Sequence, residues 1–196
     1  MVYQYYIINK PYLMLSQFSK EGNHPTLSDL DFVFPKDVYP VGRLDSDSEG
    51  LLLLTNDKRL NHRLLDPMYR HERTYLVQVD GSIDENAIKN LVNGVDIKHN
   101  GYIHRTAPCR AEKIEEPQLW EREVPIRYRK HIPTSWIKLV LTEGKNRQVR
   151  KMTAAVGFPT LRLIRAAIEN IVIDSLMPGE VHQLSKDKVY SLLGIK

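Results

Sequence analysis

The 196-residue chain has a single cysteine, Cys109, which excludes an intrachain disulfide and a thiolate metal cluster. Long apolar runs are also missing. None approaches the roughly 20 residues that span a bilayer, and the start MVYQYYIINKP lacks the basic-then-apolar order of a secretory signal. These absences predict a cytoplasmic address with no membrane partner. Gly42, Gly50 and Gly144 build neither a G-x-G-x-x-G nor a G-x-x-x-x-G-K phosphate loop, and Ser46 and Ser48 have no nucleophile-elbow context. Nucleotide hydrolysis and serine hydrolysis are thus poorly supported. The seven histidines carry no metal signature: His99 and His104 lie five apart across Asn100-Gly101, a turn rather than a helix face, and read as loop residues.

What is present suits a globular protein. With 42% hydrophobic and 27% charged residues, the chain can bury one sizeable core, as one domain or at most two small ones. The net charge of +4 is unevenly spread. Between Glu143 and Arg165 stand six cations, Lys145, Arg147, Arg150, Lys151, Arg162 and Arg165, against one acid, a local +5 that leaves the rest near neutral. A second basic group, Arg127, Arg129, Lys130 and His131, surrounds Tyr128. A charge run alone is usually a solvated face; most of the excess charge gathered into one 23-residue window points instead to a phosphate-binding surface.

Strands and helices alternate without internal repeats. Tyr3 to Asn9 reads as a strand closed by Lys10-Pro11, and the apolar run Gly50 to Thr55 as a strand buried on both faces. Asn56 or Asp57 then caps a helix reaching Leu65, before Asp66-Pro67. Arg73 to Asp80 has strand alternation, and Ser82 with Glu85 resembles a capping box for a helix closed by Gly94. Glu115 to Pro133, with three prolines, reads as an irregular insertion. Ile137 to Leu141 is another strand, and Asn146 to Val156 a helix with Val149, Met152 and Val156 on one face. The expected class is α+β with a mixed, largely antiparallel sheet.

The most informative stretch is VGRLDSDSEGLLLLTND, Val41 to Asp57, which sets one carboxylate, Asp45, after an arginine in a Gly-initiated turn. Asp45, Asp47 and Glu49 before Gly50 imitate a calcium loop. That reading fails, because the twelfth position is Asn56 rather than a bidentate glutamate and Pro40 and Gly42 deny it an entering helix. Asp47 and Glu49 then read as exposed loop acids or turn caps. Tyr75 by itself would be a half-buried strand aromatic.

GRLDSDSEGLLLLTND, the tripeptide Arg73-Thr74-Tyr75 opening a strand, and EGKNRQVRKM followed by GFPTLRLIR together resemble the three characteristic segments of the RsuA family of pseudouridine synthases, in order and spacing. The stretch PIRYRKHIPTSWIKLVLTEG is most similar to the branch that modifies large-subunit ribosomal RNA. The resemblance implies the pseudouridine synthase catalytic fold, a mixed central sheet flanked by helices, over residues 1–196; many members of the family carry an S4 domain ahead of it, which is not expected here because only 44 residues precede Asp45. It implies ribosomal RNA as partner, no cofactor, no metal, and a monomer. By position, Asp45 is the catalytic aspartate, with Arg43 beside it. Tyr75 stacks on the target base, Arg150 pairs with the catalytic carboxylate, Arg147 and Gln148 accompany it at the RNA, and Leu161 packs near the base, with Leu163 as the alternative register. Arg73 stands where relatives often have lysine, and Lys145 replaces a more usual arginine, which loses a bidentate phosphate contact. Small-subunit or transfer RNA as target, or a non-catalytic RNA-binding factor on the same fold, are the competing readings.

Overall fold

The computed structural model describes residues 2–126 and 132–195, so the basic cluster from Arg127 to His131 lies outside the described residues. In chain order the first elements are β1 (Tyr5–Lys10), β2 (Tyr39–Pro40), β3 (Glu49–Thr55), α1 (Lys58–Leu65) and β4 (Arg73–Asp80). Next come α2 (Glu85–Asn93), β5 (Asp96–His99), β6 (Tyr102–Arg105), β7 (Arg110–Ile114) and β8 (Thr134–Leu141). The chain closes with α3 (Gln148–Ala155), β9 (Thr160–Ile168), β10 (Ile171–Val172), β11 (Val181–Leu184) and α4 (Lys186–Leu192). It packs as two compact units, Met1–His71 with Ile164–Lys196, and Glu72–Leu163. The class is α+β, as expected.

In the first unit the strand order is β11-β1-β3-β9. Every residue of β3 is buried, which is why its sequence is a continuous apolar run rather than an alternation. β1 pairs antiparallel to it with Ile7 opposite Leu53, and is buried along its full length, Lys10 included. One face of this pair packs Tyr6, Ile8, Leu52 and Leu54 against Met14, Leu27 and Val38. Phe32 and Phe34 close it edge-on to Tyr6, at 5.4 and 5.5 Å between ring centroids. Each such buried Leu or Ile contributes roughly 1.5–3 kcal/mol. β3 pairs parallel to β9, with Glu49 opposite Ile164 and Gly50 opposite Arg165.

In the second unit the order is β9-β4-β8-β7, and β5 and β6 form a separate hairpin. β4 runs antiparallel to β8 with Tyr75 opposite Leu139 and Val77 opposite Ile137. Alternate residues of these strands, Val77, Val79, Ile137, Leu139 and Leu141, face Leu91 of α2 and Val149 and Met152 of α3. Tyr75 and Cys109 pack at the margin of this core.

Four expectations need correction. The α2 cap is Asp84, whose side chain accepts from Ala87 N–H at 2.8 Å; Ser82 precedes it, and the N–H of Ile83 is already committed to Ser135 Oγ. The helix expected from Asn146 begins at Gln148, because Arg147 adopts a left-handed conformation with φ 53°. His99 and His104 are not loop residues: they end and continue the two strands of the β5–β6 hairpin, with Ile97 opposite His104 and ring centroids 6.3 Å apart. Glu49 is not an exposed acid but is 1% exposed on β3.

Candidate active site

Asp45 sits half-buried in the tight turn between β2 and β3, whose backbone closes through a Ser48 N–H to Asp45 carbonyl bond of 3.0 Å. Gly42 starts the turn at φ 68°, a left-handed conformation that glycine adopts at no steric cost. The residues flanking Asp45 are fixed from a distant segment. Ser16 Oγ donates to the Leu44 carbonyl at 2.9 Å and accepts from the Leu44 N–H at 3.0 Å, so one buried hydroxyl serves both backbone groups. On the other side, Leu13 N–H donates to the Ser46 carbonyl at 2.7 Å. Lys10 Nζ reaches the carbonyls of Met14 at 2.7 Å, Pro11 at 2.8 Å and Ser46 at 3.4 Å. Three carbonyl oxygens match the three N–H donors of an ammonium.

The electrostatics of this turn centre on Lys10. Burial pushes its ammonium down to about 7, opposed by Glu49, Asp47 and Asp45 and reinforced by Arg165. Arg165, 4% exposed, donates from Nε to the Leu51 carbonyl at 2.8 Å. Gly50, at φ 105°, leaves no space here: a Cβ would overlap the Arg165 carbonyl oxygen. Arg43, one residue from Leu44, is exposed. Sequence alone does not mark Lys10 or Ser16 as part of a site. The only signal they carry is that a lysine precedes the proline ending an apolar strand and a serine follows within six residues, which is too common to read.

The other expected residues belong to the second unit. Tyr75 and Leu161 are half-buried, on β4 and β9, whereas Leu163 is 5% exposed inside the core. Arg147 is exposed at the start of α3 and Arg150 half-buried in its first turn. Gln148 is 4% exposed, its amide engaged within this unit: Nε2 donates to Glu143 Oε1 at 2.6 Å and Oε1 accepts from Lys145 N–H at 2.8 Å.

The predicted basic surface is smaller than the sequence implied. Arg162 is 8% exposed, its guanidinium carbon 5.6 Å from the Trp120 ring centroid and its Nη2 donating to the Trp120 carbonyl at 3.1 Å. With Arg165 also buried, Lys145, Arg147, Arg150 and Lys151 remain at least partly exposed. Among the described residues, no three His, Cys, Asp or Glu side chains gather as metal ligands, and no helix is long and apolar enough to cross a membrane.

A family model described as RNA pseudouridylate synthase matches residues 4–155. A ribosomal large subunit pseudouridine synthase E from Vibrio parahaemolyticus is 47% identical over 174 residues, covering 89% of this chain and 71% of its own. Its namesake from Xanthomonas axonopodis pv. citri is 47% identical over 173 residues, covering 88% and 89%. A crystal structure of a pseudouridylate synthase is similar at 28% identity with a TM-score of 0.79, covering 97% of this chain and 74% of that one. Human RNA pseudouridylate synthase domain containing 1, at 16% identity and a TM-score of 0.53 over 98% of this chain and 92% of its own, shares the fold.

Proposed function

Since the chain belongs to the RNA pseudouridylate synthase family, we propose that it converts one uridine of large-subunit ribosomal RNA to pseudouridine in the cytoplasm, with Asp45 as the catalytic group. The observation that carries this reading is the Asp45 turn, a half-buried carboxylate whose neighbours Leu44 and Ser46 are both tied down from the segment after β1. Such a turn holds a reacting group where proximity and orientation can act, before substrate arrives.

The reaction is an isomerisation. The N1–C1′ bond of uridine breaks, the uracil turns, a C5–C1′ bond forms, C5 loses its proton and N1 gains one. Nothing is consumed, so the chemistry itself calls for no cofactor, metal or energy source. The Asp45 carboxylate serves as nucleophile at sugar or base, or as the base that removes a sugar proton; both routes need it ionised. The uridine must leave its stack, at a cost of a few kcal/mol, and the face of Tyr75 offsets part of that cost. Arg147, Lys151 and the exposed Arg43 receive phosphates, Arg150 serves the carboxylate, and Leu161 packs on the base.

The test follows tritium release from C5-labelled uridine, with chemical mapping of the product, on protein-free large-subunit, small-subunit and transfer RNA. The wild type forms one pseudouridine, in large-subunit RNA; a site only in another RNA overturns the target but not the chemistry. Asp45→Asn abolishes turnover while RNA affinity stays nearly unchanged, and Asp47→Asn remains active. Turnover of Asp45→Asn within about tenfold of wild type removes Asp45 from the chemistry.

A further inference from the structure

The turn between β8 and α3 contains a closed hydrogen-bond circuit with no part in the steps above. Glu143 Oε1 accepts from Gln148 Nε2 at 2.6 Å and from the Ala107 N–H at 2.9 Å, and its Oε2 lies 3.3 Å from His104 Nε2. Gln148 bonds back across the turn. Its Oε1 accepts from the Lys145 N–H at 2.8 Å, while its own N–H donates to the Lys145 carbonyl at 3.0 Å. The second amide contact of Gln148 Nε2 is to Met152 Sδ at 3.7 Å. One carboxylate thus binds the segment after β6 to the basic turn, and one amide binds the two ends of that turn to each other.

Arg147 lies inside this circuit at φ 53° and ψ 32°. A left-handed backbone is costly for an arginine and persists where the surroundings over-determine it. Here the surroundings are Lys145 and Gln148, locked together on either side of it. Arg150 follows within the first turn of the same helix. The geometry points to Glu143 and Gln148 as positioning residues, which hold the turn so that Arg147 meets an RNA phosphate; Gln148 itself does not touch RNA. This rests on the reading of the chain as an RNA-modifying enzyme and reassigns one residue that the family resemblance places at the RNA.

A double-mutant cycle on RNA affinity tests it, using a large-subunit RNA fragment at several salt concentrations. Arg147→Ala weakens binding and flattens the salt dependence by about one unit of slope. Gln148→Ala, which removes no charge, reproduces both effects, and Arg147→Ala/Gln148→Ala binds no more weakly than Arg147→Ala alone. Losses that add overturn the proposal, because Gln148 would then contact RNA itself. Unchanged affinity in Gln148→Ala, with only a lower Tm, also overturns it, since the circuit would then serve the fold alone. Gln148→Met, which keeps the volume beside Met152, carries the same cycle if the alanine variant does not fold. Glu143→Gln retains an acceptor oxygen and stays near wild type, whereas Glu143→Ala behaves like Gln148→Ala; equal losses in both would show charge, not geometry, at work. Because the cycle reads affinity, it stands apart from the turnover assay: absence of pseudouridine with the wild type defeats the enzymatic reading alone.

Discussion

At the scale of single residues, the Asp45 turn depends most on contacts that have no catalytic chemistry. Gly50 is the clearest case. It combines a φ of 105° with a backbone approach of Arg165 so close that any Cβ overlaps the carbonyl oxygen, while Gly22 has a similarly left-handed φ of 59° and open space around it. Gly22→Ala carries conformational strain alone, roughly 1 kcal/mol. Gly50→Ala carries that strain and must also push β3 from β9, a further 1–3 kcal/mol or so by the usual cost of overpacking. Thermal unfolding therefore separates the two, with Gly50→Ala several degrees below Gly22→Ala. Turnover falls as well in Gly50→Ala, because Glu49 and Gly50 follow directly on the Asp45 turn. Equal Tm values for the two would show that the β3–β9 approach yields without cost.

At the scale of elements, α1 and α4 share one anchor. Asp57 Oδ1 caps α1 by accepting from the N–H groups of Arg59 and Leu60, at 3.0 and 3.1 Å. Its Oδ2 accepts from Tyr190 on α4 at 2.7 Å and Tyr5 on β1 at 2.8 Å. Burial works to raise its pKa, yet the bonds from Tyr190, Leu60, Tyr5 and Arg59 hold the carboxyl below the usual carboxylate range. A depressed folded pKa gives stability that is complete above the unfolded aspartate value, about 3.9, and is lost as pH falls through the folded one. Asp57→Ala should cost about 3 kcal/mol, near 1 for the cap and near 1 for each abandoned hydroxyl. The variant should also lose the part of the acid-side decline that wild type shows below about pH 4 in urea unfolding. An undiminished acid-side decline in Asp57→Ala would assign it to other carboxylates.

These elements also mark what was legible in the sequence. The apolar run of β3, the alternation of β4 and the Asp57 cap were readable because each is decided by neighbours in the chain. The β5–β6 hairpin was not, since DIKHNGYIHR alternates too weakly to signal a strand and pairs only with itself. Asp45, Arg147 and Tyr75 stood out through a family pattern, whereas the supports of the turn, Lys10 and Ser16, are ordinary residues until the fold brings them to Leu44 and Ser46. Charge misled in a specific way. Arg162 and Arg165 count toward the basic window in sequence, but β9 is buried on both faces from Arg162 to Arg165 and its arginines take internal partners.

At the scale of the whole molecule, that distinction decides how binding responds to salt. The net charge is only +4, so long-range attraction to RNA is modest and affinity rests on the cations that can release counterions. By burial, Lys151 belongs to that set and Arg162 does not, because Arg162 is 8% exposed and engaged with Trp120. Lys151→Ala should weaken RNA binding and lower the slope of log affinity against log salt by about one, with little change in Tm. Arg162→Ala should do the reverse, lowering Tm through the lost cation–π contact, worth about 0.5–1 kcal/mol or more, and leaving the salt slope where it was. Filter binding from low to high salt, set beside thermal unfolding of both variants, distinguishes the two roles. A reduced slope in a folded Arg162→Ala would mean that this guanidinium reaches RNA after all, and that the segment holding Trp120 moves aside when RNA binds.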